Sequence, residues 1–295
     1  MNTQKINRFL RQNLFFYIIG FFILFGMKYL YSKADCEGLR WILGPTAGWV
    51  EVLSGIPFVY ERGMGYANHG LRFLIAPSCS GVQFLIITAA MLIFSFVHEA
   101  ADFRPAGCRR DKEEESSSPS CPGHIYDNDV SVMSKSSPLR IGKGICWIAA
   151  SLLLSYVLTV FVNGLRIIAA IYLPSFFERI HAFGRFLTPD RLHTMIGVVV
   201  YFAALLTIHQ LTRLLFHKNS GADRKQTSAL VLRKCLSPLF WYFFLVLGIP
   251  FLNRAYDRSG KQFTEFALLV TLCCGFILLL YCLGAVIRRQ FPGRG

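Results

Sequence analysis

Three side chains in this sequence could do chemistry together: a thiol at Cys79, a guanidinium at Arg166 and an imidazole at His193. Cys79 stands in Ala76-Pro77-Ser78-Cys79-Ser80-Gly81, at the head of an apolar run over residues 82–97. Pro77 suits the first position of a helix, because its missing N–H would have no intrahelical acceptor there. The spacing therefore predicts a helix over residues 77–97, long enough to cross the hydrocarbon core of a bilayer. Cys79 then falls in the first turn, where free N–H groups and the positive end of the helix dipole favour a negative charge. Ser80 and Gly81 follow, and a glycine there admits close approach by a backbone or a substrate.

Asn163-Gly164-Leu165-Arg166 places an amide and a guanidinium three residues apart, on one face of a second apolar helix. Polar and ionisable groups inside membrane spans are costly, which makes them functional candidates. His193 opens Leu192-His193-Thr194-Met195-Ile196-Gly197, and Gly197, one turn on, leaves room for another helix to pack closely. A nucleophile, a base for it and a cation for developing negative charge are the parts that acyl transfer requires. Each residue alone also has a plainer reading: a buried inert thiol, an arginine snorkelling to the surface, an interfacial histidine. Three separate helices bring them to the same side of the membrane, which favours chemistry over three unrelated plain roles.

The rest of the chain is scaffold for these positions. Of its 295 residues 54% are hydrophobic, 15% aromatic and 16% charged, whereas about a quarter are charged in a soluble chain. The predicted fold class is all-α: a polytopic membrane helix bundle of about six spans plus an interfacial or re-entrant segment at 39–60. The net charge of +14 comes from basic residues clustered beside apolar runs, a pattern of membrane anchoring that argues against nucleic-acid binding. Nine cysteines, several inside apolar runs (Cys146, Cys273, Cys274, Cys282), give neither a disulfide framework nor a metal knuckle. Cys108, Cys121 and His124 match no standard metal-ligand spacing, and no metal or cofactor is implied.

Lys5, Arg8 and Arg11 precede the first apolar run, 14–31, which lacks a small-residue cleavage pattern and reads as a retained span entered from the cytoplasm. Residues 39–60 are interrupted by Gly44-Pro45, Gly48, Glu51, Gly55 and Pro57, which suits the membrane surface better than a crossing. After the cysteine helix comes a charged, serine-rich segment, then a span over 145–173 that stops before Pro174. Thr188-Pro189-Asp190 combines a cap, a proline at the first helical position and an acid in the first turn, and opens a span to residue 216. Spans at 236–252 and 266–287 complete the six. The chain divides into 1–98 with the cysteine motif, a flexible cytoplasmic insertion at 99–143, 144–217 with the arginine and histidine motifs, and a two-span segment at 218–295. This order puts both termini in the cytoplasm and the reactive groups at the outer face of the cell (inner) membrane.

Ser78-Cys79-Ser80-Gly81, Asn163-x-x-Arg166 and His193-x-x-x-Gly197, in that order on successive membrane helices, resemble the exosortase/archaeosortase family of integral-membrane transpeptidases over roughly residues 10–215. With Gly65-Tyr66 and Asn68 ahead of the cysteine motif and no appended soluble domain, the chain is most similar to exosortase K. The resemblance implies Cys79 as nucleophile, with Arg166 and His193 as its catalytic partners and Ser80, Gly81, Asn163 and Gly197 in support. It implies as partner an exported protein ending in a short motif, a transmembrane helix and a basic tail, met in membrane lipid. The expected reaction cleaves that signal through a thioester and transfers the product to an acceptor. The 99–143 insertion and the last two spans lie outside the motifs. Two other classes fit the same helices: a non-catalytic, transporter-like multi-pass protein, and a membrane cysteine hydrolase or acyltransferase acting on another substrate.

Overall fold

The computed structural model describes residues 3–102, 138–179, 188–217, 228–252 and 261–290. Six helical segments are long and apolar enough to cross a membrane: Asn13–Lys33, Pro77–Ala100, Arg140–Glu178, Asp190–Phe216, Cys235–Leu252 and Gln262–Gly284. The protein is an all-α multi-pass membrane bundle, as its composition predicts. In lipid no water satisfies backbone N–H and C=O groups, so apolar runs bond internally as helices. Phe21, Phe22, Leu154, Leu272 and Leu279 are exposed on the bundle's outside, where hydrocarbon suits them as solvent.

After α1 (Thr3–Lys33), α2 (Arg40–Ser54) has 15 residues, roughly 22 Å, which is short of a crossing. Its Ile42, Leu43, Thr46, Ala47 and Val50 recur at helical spacing and are buried, while Trp41, Val52 and Leu53 face out. The buried stripe packs on α4 (Pro138–Arg179). Trp49 fills the place a side chain at Gly164 would need, since a Cβ there would sit 2.5 Å from the indole Cδ1. Gly55 ends α2 in the left-handed region, its N–H on the Glu51 carbonyl at 2.8 Å.

A small antiparallel sheet that the sequence reading did not anticipate joins α2 to the cysteine motif. It consists of β1 (Val59–Glu61), β2 (Gly65–Asn68) and β3 (Phe73–Ile75), in the order β1-β2-β3. Tyr60 faces Tyr66 across the first pair and Ala67 faces Leu74 across the second. Asn68 holds the second turn by accepting the Leu71 N–H at 2.8 Å and donating to the Pro57 carbonyl at 2.7 Å. The Tyr66 hydroxyl lies 2.9 Å from where a Cβ on Gly44 would be, which seats the sheet on α2.

Several boundaries differ from the expectation. The cysteine-motif helix begins at Val82 rather than Pro77. Pro77–Cys79 is one 3-10 turn, Ser80 follows, Gly81 turns with φ 73°, and α3 (Val82–Asp102) starts after it. A residue in the left-handed region cannot carry a right-handed helix through itself. In the other direction, α4 does not stop before Pro174 but runs through it to Arg179. The proline removes only its own bond to the Ala170 carbonyl, close to the helix end, where few further bonds depend on it. Helix also reaches into the segment read as an insertion, α3 as far as Asp102 and α4 from Pro138. The remainder of that segment, with Cys108, Cys121 and His124, lies outside the described residues.

α5 (Pro189–His217) starts where its sequence predicts. Thr188 accepts the Arg191 N–H on Oγ1 at 3.4 Å and the Leu192 N–H on its carbonyl at 2.9 Å. α6 (Ser228–Phe243) continues through a π-helical stretch, Phe244–Gly248, into α7 (Ile249–Leu252). The wide turn gives the Phe244 carbonyl the Ile249 N–H ahead of Pro250, which has no N–H to offer Val246. α8 (Lys261–Gln290) closes the bundle. Phe84, Met91, Phe202, Leu205, Tyr242 and Val270 form its centre. Cys235, Cys273 and Cys274 are buried packing residues, whereas Cys146 faces outward.

Candidate functional site

The 3-10 turn, the second half of α4 and the first half of α5 meet at one end of the bundle. Cys79 closes the turn, its N–H on the Ala76 carbonyl at 2.8 Å, and is 8% exposed. Since α3 begins three residues later, the thiol does not sit in that helix's first turn as expected. α4 helps to place it instead. The fully buried Asn163 donates through Nδ2 to the Cys79 carbonyl at 2.6 Å. That approach needs glycine at 81, because a Cβ there would lie 2.9 Å from Asn163 Cγ and 3.0 Å from Thr159 Cγ2. Gly81→Ala puts a side chain on left-handed backbone and into filled space, and is expected to cost about 2–4 kcal/mol. Thermal unfolding in detergent checks this, with an unchanged midpoint as the contrary result.

Arg166 lies on α4 one turn beyond Asn163 and is 9% exposed. Its Nη2–H donates to His193 Nε2 at 3.0 Å, and its Nη1 reaches Asn163 Oδ1 at 3.5 Å and the Tyr201 hydroxyl at 3.4 Å. Arginine has no acceptor, so His193 Nε2 must accept, which requires a neutral ring with its proton on Nδ1. The guanidinium also lies within electrostatic reach of the Cys79 thiol. Gly197 makes the room: a Cβ there would lie 3.1 Å from Arg166 Nε, so this glycine clears space for the guanidinium that α4 brings against α5.

Among the described residues no carboxylate pairs with Arg166. A buried cation without a counter-charge is costly, and that cost falls when negative charge appears beside it. The long Nη1 bonds are near the limit of hydrogen bonding, so a closer anion would displace them.

Tyr201 is a member of this set that the motifs did not reveal. Its hydroxyl donates to Asn163 Oδ1 at 2.7 Å, its ring stacks on Phe84 with centroids 4.7 Å apart, and the Arg166 guanidinium lies 5.4 Å from its centroid. A signal existed, since His193, Gly197 and Tyr201 fall at i, i+4 and i+8 on one face of α5. Removing only the hydroxyl, in Tyr201→Phe, leaves Asn163 without its best donor. We expect the rate of Cys79 alkylation, followed by peptide mass spectrometry, to fall about tenfold, equivalent to roughly 1.4 kcal/mol. An unaltered rate would show that the hydroxyl does not hold the site.

Cys79, Asn163, Arg166 and His193 thus form one connected set, with Gly81 and Gly197 as its clearances. No hydrogen bond joins His193 to the thiol, because Arg166 engages its Nε2. Ser80 is buried beside Cys79 with its hydroxyl unpaired. A cleft of about 190 Å³ lies between α1, α3 and α6–α7, apolar except for Lys28 and Gln83. No group of three metal-binding side chains occurs among the described residues. Comparison with family models, curated proteins and solved structures finds no match to this chain.

Proposed function

We propose that this protein is an integral-membrane cysteine transpeptidase or protease of the exosortase kind, most like exosortase K, working at the outer face of the cell membrane with both termini in the cytoplasm. Its substrate is an exported protein with a C-terminal motif, a transmembrane helix and a basic tail. The observation that carries this reading is the buried Arg166, bonded to His193 and joined through Asn163 to the Cys79 backbone, with no carboxylate partner among the described residues. A structural salt bridge would have supplied an acid. A buried cation without an acid, on the same connected set as a thiol, supports a centre built to hold a thiolate or an oxyanion.

In the proposed reaction the Cys79 proton passes to His193 Nε2, released from Arg166 as substrate settles, and the sulfur attacks the scissile carbonyl. Negative charge moves to the carbonyl oxygen, where Arg166 Nη1 takes it up in place of its long bonds to Asn163 and Tyr201. The carbon–nitrogen bond then breaks, His193 returns the proton to the leaving amine, and a thioester stays on Cys79. An acceptor amine, hydroxyl or water resolves it and restores the thiol. The apo hydrogen bond between Arg166 and His193 is compatible with this, since catalytic contacts tighten only with substrate present.

The test is co-expression with a reporter bearing a motif, an apolar helix and a basic tail. The reporter is expected to lose its tail in mass only when the wild-type protein is present; a reporter that never shifts overturns the reading. A second reading, a membrane acyltransferase using lipid, draws on the apolar cleft with Lys28. It predicts that the mass gained or lost follows lipid composition and not the reporter's motif.

A further inference from the structure

A scissile segment must leave its own membrane helix to reach Cys79, and an extended backbone near the membrane needs hydrogen-bond partners that scarce water does not supply. A sheet edge supplies them in register. The sheet has two edges, and they are unlike. β1 carries Glu61, bonded to His69 at 2.6 Å, and its Tyr60 ring is covered by the Arg40 guanidinium at 4.6 Å. Charged and covered edges resist pairing with other chains. β3 reads Phe73-Leu74-Ile75, with no charge and no proline, and among the described residues β2 alone pairs with it. Leu74 is 39% exposed, and Arg72, in the left-handed turn at φ 51°, stands just before the strand.

β3 also leads directly into the reaction centre. Ala76 continues the extended backbone (φ −83°, ψ 170°), and the Pro77–Cys79 turn follows at once. A chain lying along β3 has no more than roughly 13 Å, four residues, to travel to the thiol. The buried Ile75 anchors this edge in the same apolar cluster as Cys79.

Resting on the function proposed above, we propose that the free edge of β3 is the substrate-docking surface: the extended segment that carries the scissile bond adds to Phe73–Ile75 as a further strand and is thereby led to Cys79. Main-chain bonds supply the holding, so the surface takes a peptide whose side chains vary and whose backbone amides are free.

The experiment uses the full-length protein in membranes and synthetic reporter peptides, each with one backbone N-methyl group moved residue by residue along the motif. In a strand, alternate amides face the partner. Methylation is therefore expected to raise KM about tenfold at every second position and less than twofold between them. A photo-crosslinking residue at position 74 is expected to capture the reporter, and one at position 59, on β1, is not. KM indifferent to methylation at all positions, or equal capture from positions 59 and 74, overturns the docking proposal while Cys79-dependent cleavage still stands. Cleavage that persists in Cys79→Ala overturns the parent reading, and this one with it.

Discussion

Cys79→Ala is expected to abolish reporter processing, lowering the rate by a factor on the order of 10⁴ or more, since removing a nucleophile leaves only what the rest of the site contributes. Insertion should survive. The substitution deletes one sulfur from a small side chain at the end of a turn, while the bonds that hold the turn, from Asn163 Nδ2 to the Cys79 carbonyl and from the Cys79 N–H to Ala76, are made by backbone atoms at 79. The measurement is the mass of the reporter beside the abundance and melting temperature of the variant in membranes. Processing retained at more than a few per cent would mean that the thiol is not the nucleophile. Cys79→Ser adds a second arm. It keeps the shape but exchanges the thiol for a hydroxyl that ionises far less readily, so it should be nearly as inactive.

Arg166→Lys should reduce processing by roughly 10² to 10³, the loss typical of an oxyanion donor. Charge is conserved, so the loss would come from shape. The guanidinium fork spans His193 on one nitrogen and Asn163 with Tyr201 on the other, with its Nε against Gly197. A lysine ammonium is a compact point charge on a flexible stem and cannot hold both sides from one position. The check is kcat and KM for the reporter together with the alkylation rate of Cys79. Near-normal kcat in Arg166→Lys would assign Arg166 to charge balance alone.

How much of this was legible depends on the length of sequence that encodes each feature. Apolar runs of 18 residues and more announce the spans, and Thr188-Pro189-Asp190 announces the start of α5 with a three-residue signature. Strands of three or four residues are too short for an alternation to show, and the sheet they form was invisible. Pro77 looked like a helix start because the sequence alone does not reveal that Gly81 takes a positive φ. The site shows the same division. Cys79, Asn163, Arg166 and His193 stood out as polar groups in apolar surroundings, which is a one-residue observation. Tyr201 did not, because a tyrosine in an apolar helix reads as packing, and the direction of its hydroxyl towards Asn163 depends on how α4 and α5 are rotated against each other. That rotation also decides that His193 meets Arg166 before it meets Cys79.

The apolar part of α4, Arg140–Glu178, is 39 residues long, which is roughly 58 Å of helix for a hydrocarbon layer of about 30 Å. Even a lean of about 40° leaves this rod too tall, so part of it must stand proud of the lipid or lift the lipid around it. Arg166 is fixed to the rod and cannot change its depth independently. A thick, sterol-stiffened or long-chain membrane would submerge the guanidinium and strengthen its pull on a neighbouring anion, whereas a thin one would wet it and weaken that pull. The host membrane's thickness thereby becomes part of the electrostatics around Arg166, and of the proposed reaction with it.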